Sequence, residues 1–263
     1  MRLKPFLDNA ISPQQFGFLK NRQILDPIGI TQEVLHTVKA RKRNALILKL
    51  DLSKAFDRVN WSFVRLILLQ IGVPLVGVNW ILGCISSVQF AILVNGSPSS
   101  FFPASRGIRQ GYPLSPLLFI LVIEGLSLLI EEAKRQGKMK GIKISARLSL
   151  THLLFVDDVI LFGFGSVEEW KAFKEILDSF CEASSMSINI NKSSFLHNDL
   201  DENILQNLAG HFPYRLDLLF KGFVYLGYYL KPSGYLIRDW SWLVAKFEKR
   251  ISHWTNRMLS LGG

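Results

Sequence analysis

Residues 154–162 read Leu154-Phe155-Val156-Asp157-Asp158-Val159-Ile160-Leu161-Phe162. Two adjacent carboxylates sit between short apolar runs rich in β-branched and aromatic residues. Such runs on either side of a polar pair read as strands joined by a tight turn, so the pattern predicts a β-hairpin with Asp157 and Asp158 at its tip. Adjacent negative charges raise each other's proton affinity unless a cation offsets them, and a divalent metal held by oxygen ligands is one such cation. A solvated turn, where Asp is common, is the other reading, and this stretch alone leaves both open.

Working outward, residues 106–116 (Arg-Gly-Ile-Arg-Gln-Gly-Tyr-Pro-Leu-Ser-Pro) form a Gly- and Pro-rich loop that enters a long helix ending near Gly137. Amide donors and a guanidinium at a helix entrance suit an anion such as a triphosphate, and a purely structural loop with a proline start is the alternative. The most apolar stretch, residues 114–130, carries Pro116 and Glu124 and reads as a buried helix rather than a membrane span. Further upstream, residues 45–50 form an apolar strand that runs into Asp51. Helical spacing follows through Ala55, Val59, Phe63, Leu66, Ile67 and Ile71, until Gly72 and Pro74 break it. Residues 76–86 read as a short helix, 90–94 as a strand, 95–100 as turn chemistry and 101–105 as a returning strand.

Before these, residues 1–24 are punctuated by Pro5, Pro13 and Gly17, and residues 25–38 have helical spacing at Ile28, Ile30, Val34, Leu35 and Val38. That helix runs into Lys39, Arg41, Lys42 and Arg43, which suit a helix C-terminus and equally suit phosphate contacts. Downstream, residues 167–183 are an amphipathic helix with Trp170, Phe173, Ile176, Leu177 and Phe180 on one face. Residues 187–190 read as a strand leading to Asn191 and Lys192, residues 225–230 as another, and residues 240–254 as a last helix with a basic outer face.

At 263 residues the chain is one large domain or two smaller ones, without internal repeats or a separating linker. An apolar share of 49% and a mean hydropathy of +0.22 exclude a disordered chain and point to apolar surface that a partner covers. The balance of 31 basic and 21 acidic residues, net +10, favours a polyanionic partner, nucleic acid before membrane. With Cys84 and Cys181 as the only cysteines, no zinc cluster forms, and the chain reads as reduced and intracellular. Residues 1–16 lack the apolar core of a signal peptide.

The element order is α+β, with three aspartates from two strands placed at strand ends. Such a set can hold two divalent ions, as in two-metal polymerases and nucleases. In this order the segments resemble the reverse transcriptase domain of non-LTR (LINE-type) retrotransposons, the plant branch in particular, over essentially the whole chain. Residues 11–26 resemble its fingers motif ending in Arg22-Gln23-Ile24-Leu25-Asp26. Residues 50–59 (Leu-Asp-Leu-Ser-Lys-Ala-Phe-Asp-Arg-Val) are similar to motif A, 105–119 to motif B, 153–158 to motif C, 187–193 to motif D, 225–228 to motif E and 254–263 to the early thumb.

The resemblance implies a right-hand polymerase palm, an antiparallel sheet backed by helices, with partial fingers and a thumb stub. Residues 1–45 would be partial fingers, 46–215 palm, and 216–263 a primer-grip-like strand and thumb start, the domain being truncated at both ends. It implies RNA-directed DNA synthesis from deoxynucleoside triphosphates on an RNA template and a DNA primer, without a membrane. The alternative is a catalytically silent retrotransposon remnant that at most binds nucleic acid. Asp51 and Asp157 would bind two Mg²⁺ (or Mn²⁺) ions with Asp158 in support, and the Leu52 carbonyl would add an oxygen. Phe56 would exclude a ribose 2′-OH, Gln110 and Gly111 would line the nucleotide and template pocket, and Arg109 or Arg22 would meet phosphate. Lys192 would act as general acid for pyrophosphate. Tyr225, Leu226 and Gly227 would grip the primer, and Lys246, Lys249 and Arg250 would track the duplex on a basic face extending to Arg257. Lys54 and Asp57 read as salt-bridging neighbours and His152 as a packed residue. Two positions depart from the family pattern: Val156 stands where Ala is usual, and Tyr112 where Asp is usual, its phenol expected to crowd the pocket beside Gln110.

Overall fold

The computed structural model describes residue 7 and residues 10–146, 148–198 and 200–255, with side chains as far as residue 252. In chain order the elements are α1 (Leu25–Ala40), β1 (Leu46–Asp51), α2 (Ala55–Arg58), α3 (Trp61–Gln70), α4 (Leu75–Ser86) and the two-residue strands β2 (Gln89–Phe90), β3 (Leu93–Val94), β4 (Ser97–Pro98) and β5 (Phe102–Pro103). Next come α5 (Ser115–Arg135), β6 (Ile142–Lys143), β7 (Ser149–Leu150), β8 (His152–Phe155), β9 (Asp158–Gly163), α6 (Val167–Ser184) and β10 (Ser194–His197). The chain closes with α7 (Glu202–His211), β11 (Arg215–Leu218), β12 (Phe223–Tyr225), β13 (Tyr228–Leu230) and α8 (Ser241–Thr255).

One five-stranded sheet, β11-β10-β1-β9-β8, organises these elements; it is antiparallel except for the β10–β11 pair. Side chains alternate along β1, and both faces of the sheet are used. Leu46, Leu48 and Leu50 enter a core with α3, α5 and α6, while Ile47 enters a second core with α1 and the β12–β13 hairpin. Helix α5 runs through the first core, with every residue from Leu118 to Ser127 buried. On the flank, Trp170 of α6 meets Phe195 of β10 edge-on at 4.6 Å, and Phe195 meets Phe212 at 5.0 Å. Each of these fully buried rings contributes roughly 2–3 kcal/mol of burial, and together they fix α6 and the end of α7 against β10. Among the described residues no helix is long and apolar enough to cross a membrane.

Four sequence expectations change. The helical pattern over residues 55–71 is split, because the Asn60 side chain caps a new helix by accepting from the Ser62 amide at 2.8 Å. Residues 187–190 form only a bridge from Ile188 to Leu52; the strand is Ser194–His197, which the chain reaches after amides 192 and 193 turn back onto the Asn189 carbonyl. Residues 225–230 are a hairpin, not one strand. Leu226 and Gly227 take φ of 49° and 79°, the consecutive left-handed pair that a two-residue turn requires. Residues 90–94 break into β2 and β3, with β5 pairing back onto β2 as expected of the returning strand. The segment 256–263, assigned by resemblance to the thumb together with Arg257, lies outside the described residues.

Candidate active site

β1 delivers Asp51 at its C-terminal end, and the register sets it directly opposite Asp158, the first residue of β9. Phe155 pairs with Asp158, so the hairpin tip is Val156-Asp157, one residue earlier than the sequence suggests. This tip puts Val156 at φ 59°, a conformation that hairpins normally give to glycine and that costs a β-branched residue on the order of 1–3 kcal/mol.

Residues 12–17 hold this strained turn. The buried Gln15 amide oxygen accepts from the Val156 amide at 3.3 Å and the Gly17 amide at 2.9 Å. Leu154 donates to the Gln14 carbonyl and accepts from the Phe16 amide, both at 2.9 Å. Gly17 is required for the contact, since a Cβ there would lie 2.5 Å from Val156 Cγ2. The other end of the segment is fixed by α5, where Glu124 accepts from the Ser12 amide at 3.0 Å and the Ser12 hydroxyl at 3.1 Å. That hydroxyl also meets Ser127 Oγ at 2.8 Å; Ser127 hydrogen-bonds His152 Nε2 at 2.8 Å, and His152 Nδ1 meets Thr151 Oγ1 at 3.0 Å. Burial pushes Glu124 up to about 7, against the opposing pull of its Ser12 hydrogen bonds, and pushes His152 down to about 3. His152 is thus packed, as expected. Sequence reading did not find Ser12, Gln15, Gly17 or Ser127 as the hairpin's supports, although a glutamate inside an apolar helix was a visible signal.

A cavity of about 500 Å³ opens beside the hairpin. Its lining brings together Asp51, Leu52, Phe56, Gln110, Asp157 and Lys192, along with Lys54 and Arg58. The Phe56 ring stacks on Phe119 of α5, centroids 4.3 Å apart and planes 15° apart, which fixes its position. The 106–111 loop is strapped to α2: Gly107 N donates to Val59 O at 2.8 Å and Ile108 N to Phe56 O at 2.7 Å. Gly107 has φ 91°, and a Cβ there would come within 2.7 Å of the Asp57 carbonyl oxygen.

The other expected residues lie elsewhere. Arg109 shares with Gln110 the lining of a neighbouring cavity of about 520 Å³ that includes Arg106, Asp57 and Phe90. Gly111 is exposed at φ 80°. Arg22 Nη1 donates to the Ser12 carbonyl at 2.6 Å and to the Gln15 carbonyl, and so braces the 12–17 segment. Tyr112 is exposed and lines neither cavity. Lys54 and Asp57 form no ion pair; their link is the Asp57 amide donating to the Lys54 carbonyl at 3.0 Å, because Lys54 turns left-handed ahead of α2. Tyr225 is buried in the second core, while Leu226 and Gly227 form the β12–β13 turn. Lys246, Lys249 and Arg250 are exposed on α8, with Lys246 Nζ 5.9 Å from the Tyr228 ring centre. The same helix exposes Val244, Phe247 and Ile251.

Charge is unevenly met here. Lys192 Nζ lies 3.9 Å from Asp51 Oδ2, a solvent-exposed pair worth roughly 0–1 kcal/mol. Burial, then the neighbouring Asp157 and more weakly Asp51, push the Asp158 carboxyl above its usual range, against the pull of Lys49. The Tyr225 phenol oxygen is buried without a hydrogen-bond partner among the described residues, and burial and Asp158 raise its proton affinity. An all-oxygen donor set that repels itself suits a hard divalent cation. Among the described residues, however, no three His, Cys, Asp or Glu side chains are gathered closely enough to hold a metal ion. Asp51 and Asp157 share the cavity; Asp158 does not line it.

Residues 1–230 match the family described as reverse transcriptase (RNA-dependent DNA polymerase). The chain is 30% identical over 238 residues, 89% of its length, to the transposon TX1 uncharacterized 149 kDa protein of Xenopus laevis. It is also 30% identical over 151 residues, 57% of its length, to the retrovirus-related Pol polyprotein from the type-2 retrotransposable element R2DM of Drosophila melanogaster. It spans 17% and 14% of those two proteins. Over 67 residues, 25% of the chain, it is 49% identical to an uncharacterized mitochondrial protein of Arabidopsis thaliana, 55% of which is covered. Its fold aligns with telomerase from Candida albicans, solved in complex with a fragment of telomeric RNA, at a TM-score of 0.59 and 11% identity, covering 87% of this chain and 35% of that one. The α+β sheet-and-helix arrangement is thus that of a polymerase palm, and the chain belongs to the reverse transcriptase family, with the reverse transcriptase domains of non-LTR retrotransposons.

Proposed function

We propose that this chain carries the nucleotidyl-transfer site of an RNA-directed DNA polymerase from a plant LINE-type element. The observation that supports this most is the single cavity in which β1, α2, the 106–111 loop, the 156–157 turn and the 189–192 turn bring Asp51, Asp157, Phe56, Gln110 and Lys192 together. The Arabidopsis match supports the plant assignment. Residues 1–45, 46–215 and 216–263 would serve as partial fingers, palm, and primer grip with thumb start.

In the reaction the primer 3′-hydroxyl loses its proton to water, its oxygen bonds to the α-phosphorus of a deoxynucleoside triphosphate, and the bond from that phosphorus to pyrophosphate breaks. Phe56, immobilised on Phe119, would lie under the sugar and exclude a 2′-OH, while Gln110 would contact the nucleotide. Arg58 and Lys54 would meet the triphosphate, with Arg109 on the template side. Lys192 would release Asp51 and give a proton to the departing pyrophosphate. Asp51 and Asp157 line the cavity, and for the three aspartates to hold two Mg²⁺ or Mn²⁺ ions Asp158 would have to turn toward it. When bound, such ions stabilise the attacking and leaving oxygens. The β12–β13 turn would position the primer, and Lys246, Lys249 and Arg250 would follow the duplex backbone. The RNA bound to the Candida albicans telomerase supports RNA as the template here. A covering partner would bury Val244, Phe247 and Ile251.

The test is primer extension on an RNA template with Mg²⁺: wild type should incorporate deoxynucleotides and Asp157→Ala should not. Equal signals would remove the proposal. The ungathered carboxylates favour a second reading, a silent protein that only binds nucleic acid. Salt-sensitive RNA binding without incorporation by wild type would establish it.

A further inference from the structure

Three cavities with basic linings succeed one another from the candidate active site, linked by a shared or an adjacent residue. The cavity at Asp51 shares Lys192 with a second cavity of about 410 Å³ that is lined by Lys49, Arg215 and Lys221. Beyond it, Phe220 adjoins Lys221 in sequence and lines a third, of about 700 Å³, with Lys39, Lys42 and Lys231. The sheet register fixes the direction. Asp51 ends β1 on the active-site side, while Leu46, paired with His197 of β10, marks the opposite side, roughly 17 Å away at about 3.3 Å per residue. β11 runs parallel to β10, so its exit into residues 219–221 is on that far side too.

The charges along this path are only partly met. Arg215 is paired with Asp217 at 2.7 Å and Lys231 with Asp239 at 3.3 Å. Lys39, Lys42, Lys49 and Lys221 form no ion pair among the described residues; Lys39 donates to the Ser233 hydroxyl and Lys49 to the Val224 carbonyl. Lys42 stands at φ 47°, just past the end of α1, where glycine would be free of strain. Phe220 exposes 55% of its surface beside these lysines. Complementing the α1 macrodipole explains Lys39 but not the convergence of Lys42, Lys49, Lys221 and an exposed aromatic ring on one path.

We propose that these cavities form one trough that binds a single strand of nucleic acid, with phosphates on Lys49, Lys221, Lys39 and Lys42 and an unpaired base stacked on Phe220. Phosphate contacts give affinity without sequence preference, and an exposed aromatic face accepts any base. The site needs nucleic-acid binding but not incorporation, so its failure and that of the polymerase reading are separate results.

The test is fluorescence anisotropy of a labelled single-stranded RNA, and of DNA of the same sequence, with the full chain from about 50 to 200 mM salt. Four phosphate contacts at a slope of about 0.7 each should weaken wild-type binding about 50-fold across that range. Lys39→Gln combined with Lys42→Gln should weaken it only about 7-fold, with the wild-type response restored by Arg at both positions. Phe220→Ala should weaken binding roughly 5- to 150-fold at every salt concentration without changing the slope, and Phe220→Tyr should restore it. RNA and DNA should both bind, since they share phosphates and base faces. Wild-type slopes and affinities in both the lysine and Phe220→Ala variants, each folded by circular dichroism, would overturn the proposal.

Discussion

Replacing Glu124 with Gln should change how stability depends on pH, because two buried groups in one hydrogen-bond network now oppose each other. Glu124 is raised from 4.5 to about 7, so between those values the folded state holds a proton that the unfolded state has lost. Its contribution is fully present below pH 4.5 and is lost as pH rises through about 7. At about 1.4 kcal/mol per pH unit this amounts to about 3 kcal/mol. His152 is lowered from 6.5 to about 3, so the unfolded state protonates first, and its contribution, present above 6.5, is lost as pH falls toward about 3. Between pH 4.5 and 6.5 the two slopes are equal and opposite. In the Glu124→Gln variant the new carboxamide would still accept from the Ser12 amide and could donate to its hydroxyl. The segment therefore keeps its anchor while the titration of Glu124 disappears. Urea denaturation of wild type and Glu124→Gln across pH 4.5 to 8 is the assay. Their difference in unfolding free energy should change by about 3 kcal/mol, with the variant losing about 1.4 kcal/mol per pH unit below 6.5 relative to its value at neutral pH. Parallel curves would refute the burial argument for Glu124.

Other consequences follow from the same contacts. Gln15→Ala leaves the Gly17 and Val156 amides without their buried acceptor and should cost roughly 1–3 kcal/mol in urea denaturation; a change under about 0.5 kcal/mol would mean that the turn is not held this way. Gly107→Ala, forced to φ 91° with a Cβ 2.7 Å from the Asp57 carbonyl, should lower the melting temperature, and an unchanged melt would show that the 106–111 strap relaxes freely. Lys192→Gln should lower kcat for incorporation about 100-fold or more with little change in KM; an unchanged kcat would exclude proton donation by this side chain.

Much of this was legible in the sequence wherever a local pattern decides the outcome. The apolar run of residues 45–50 gave β1 and the place of Asp51, and the apolar periodicity of residues 25–38 and 167–183 gave α1 and α6. The errors arose where a backbone turn or a distant partner decides. The hairpin tip moved to Val156-Asp157 because residues 12–17, far away in sequence, stabilise a positive φ that valine alone disfavours. The motif D strand moved to residues 194–197 because Asn189 and Ser187 are drawn to Asp51 and Ser53 through backbone hydrogen bonds. Leu226 concealed a hairpin, since only its neighbour Gly227 signals a left-handed turn. Within the site, Arg22 read as a phosphate ligand because arginine carries that chemistry, whereas the fold directs one of its amino groups to two carbonyls of the brace.

The most direct test of the central claim is incorporation of deoxynucleotides by this chain on a primed RNA template with Mg²⁺, measured for wild type, Asp51→Asn and Asp157→Asn. Extension by wild type alone, with both variants still binding the primed template, is the expected result. Extension of equal extent by all three, or binding without extension by the wild type, would contradict it.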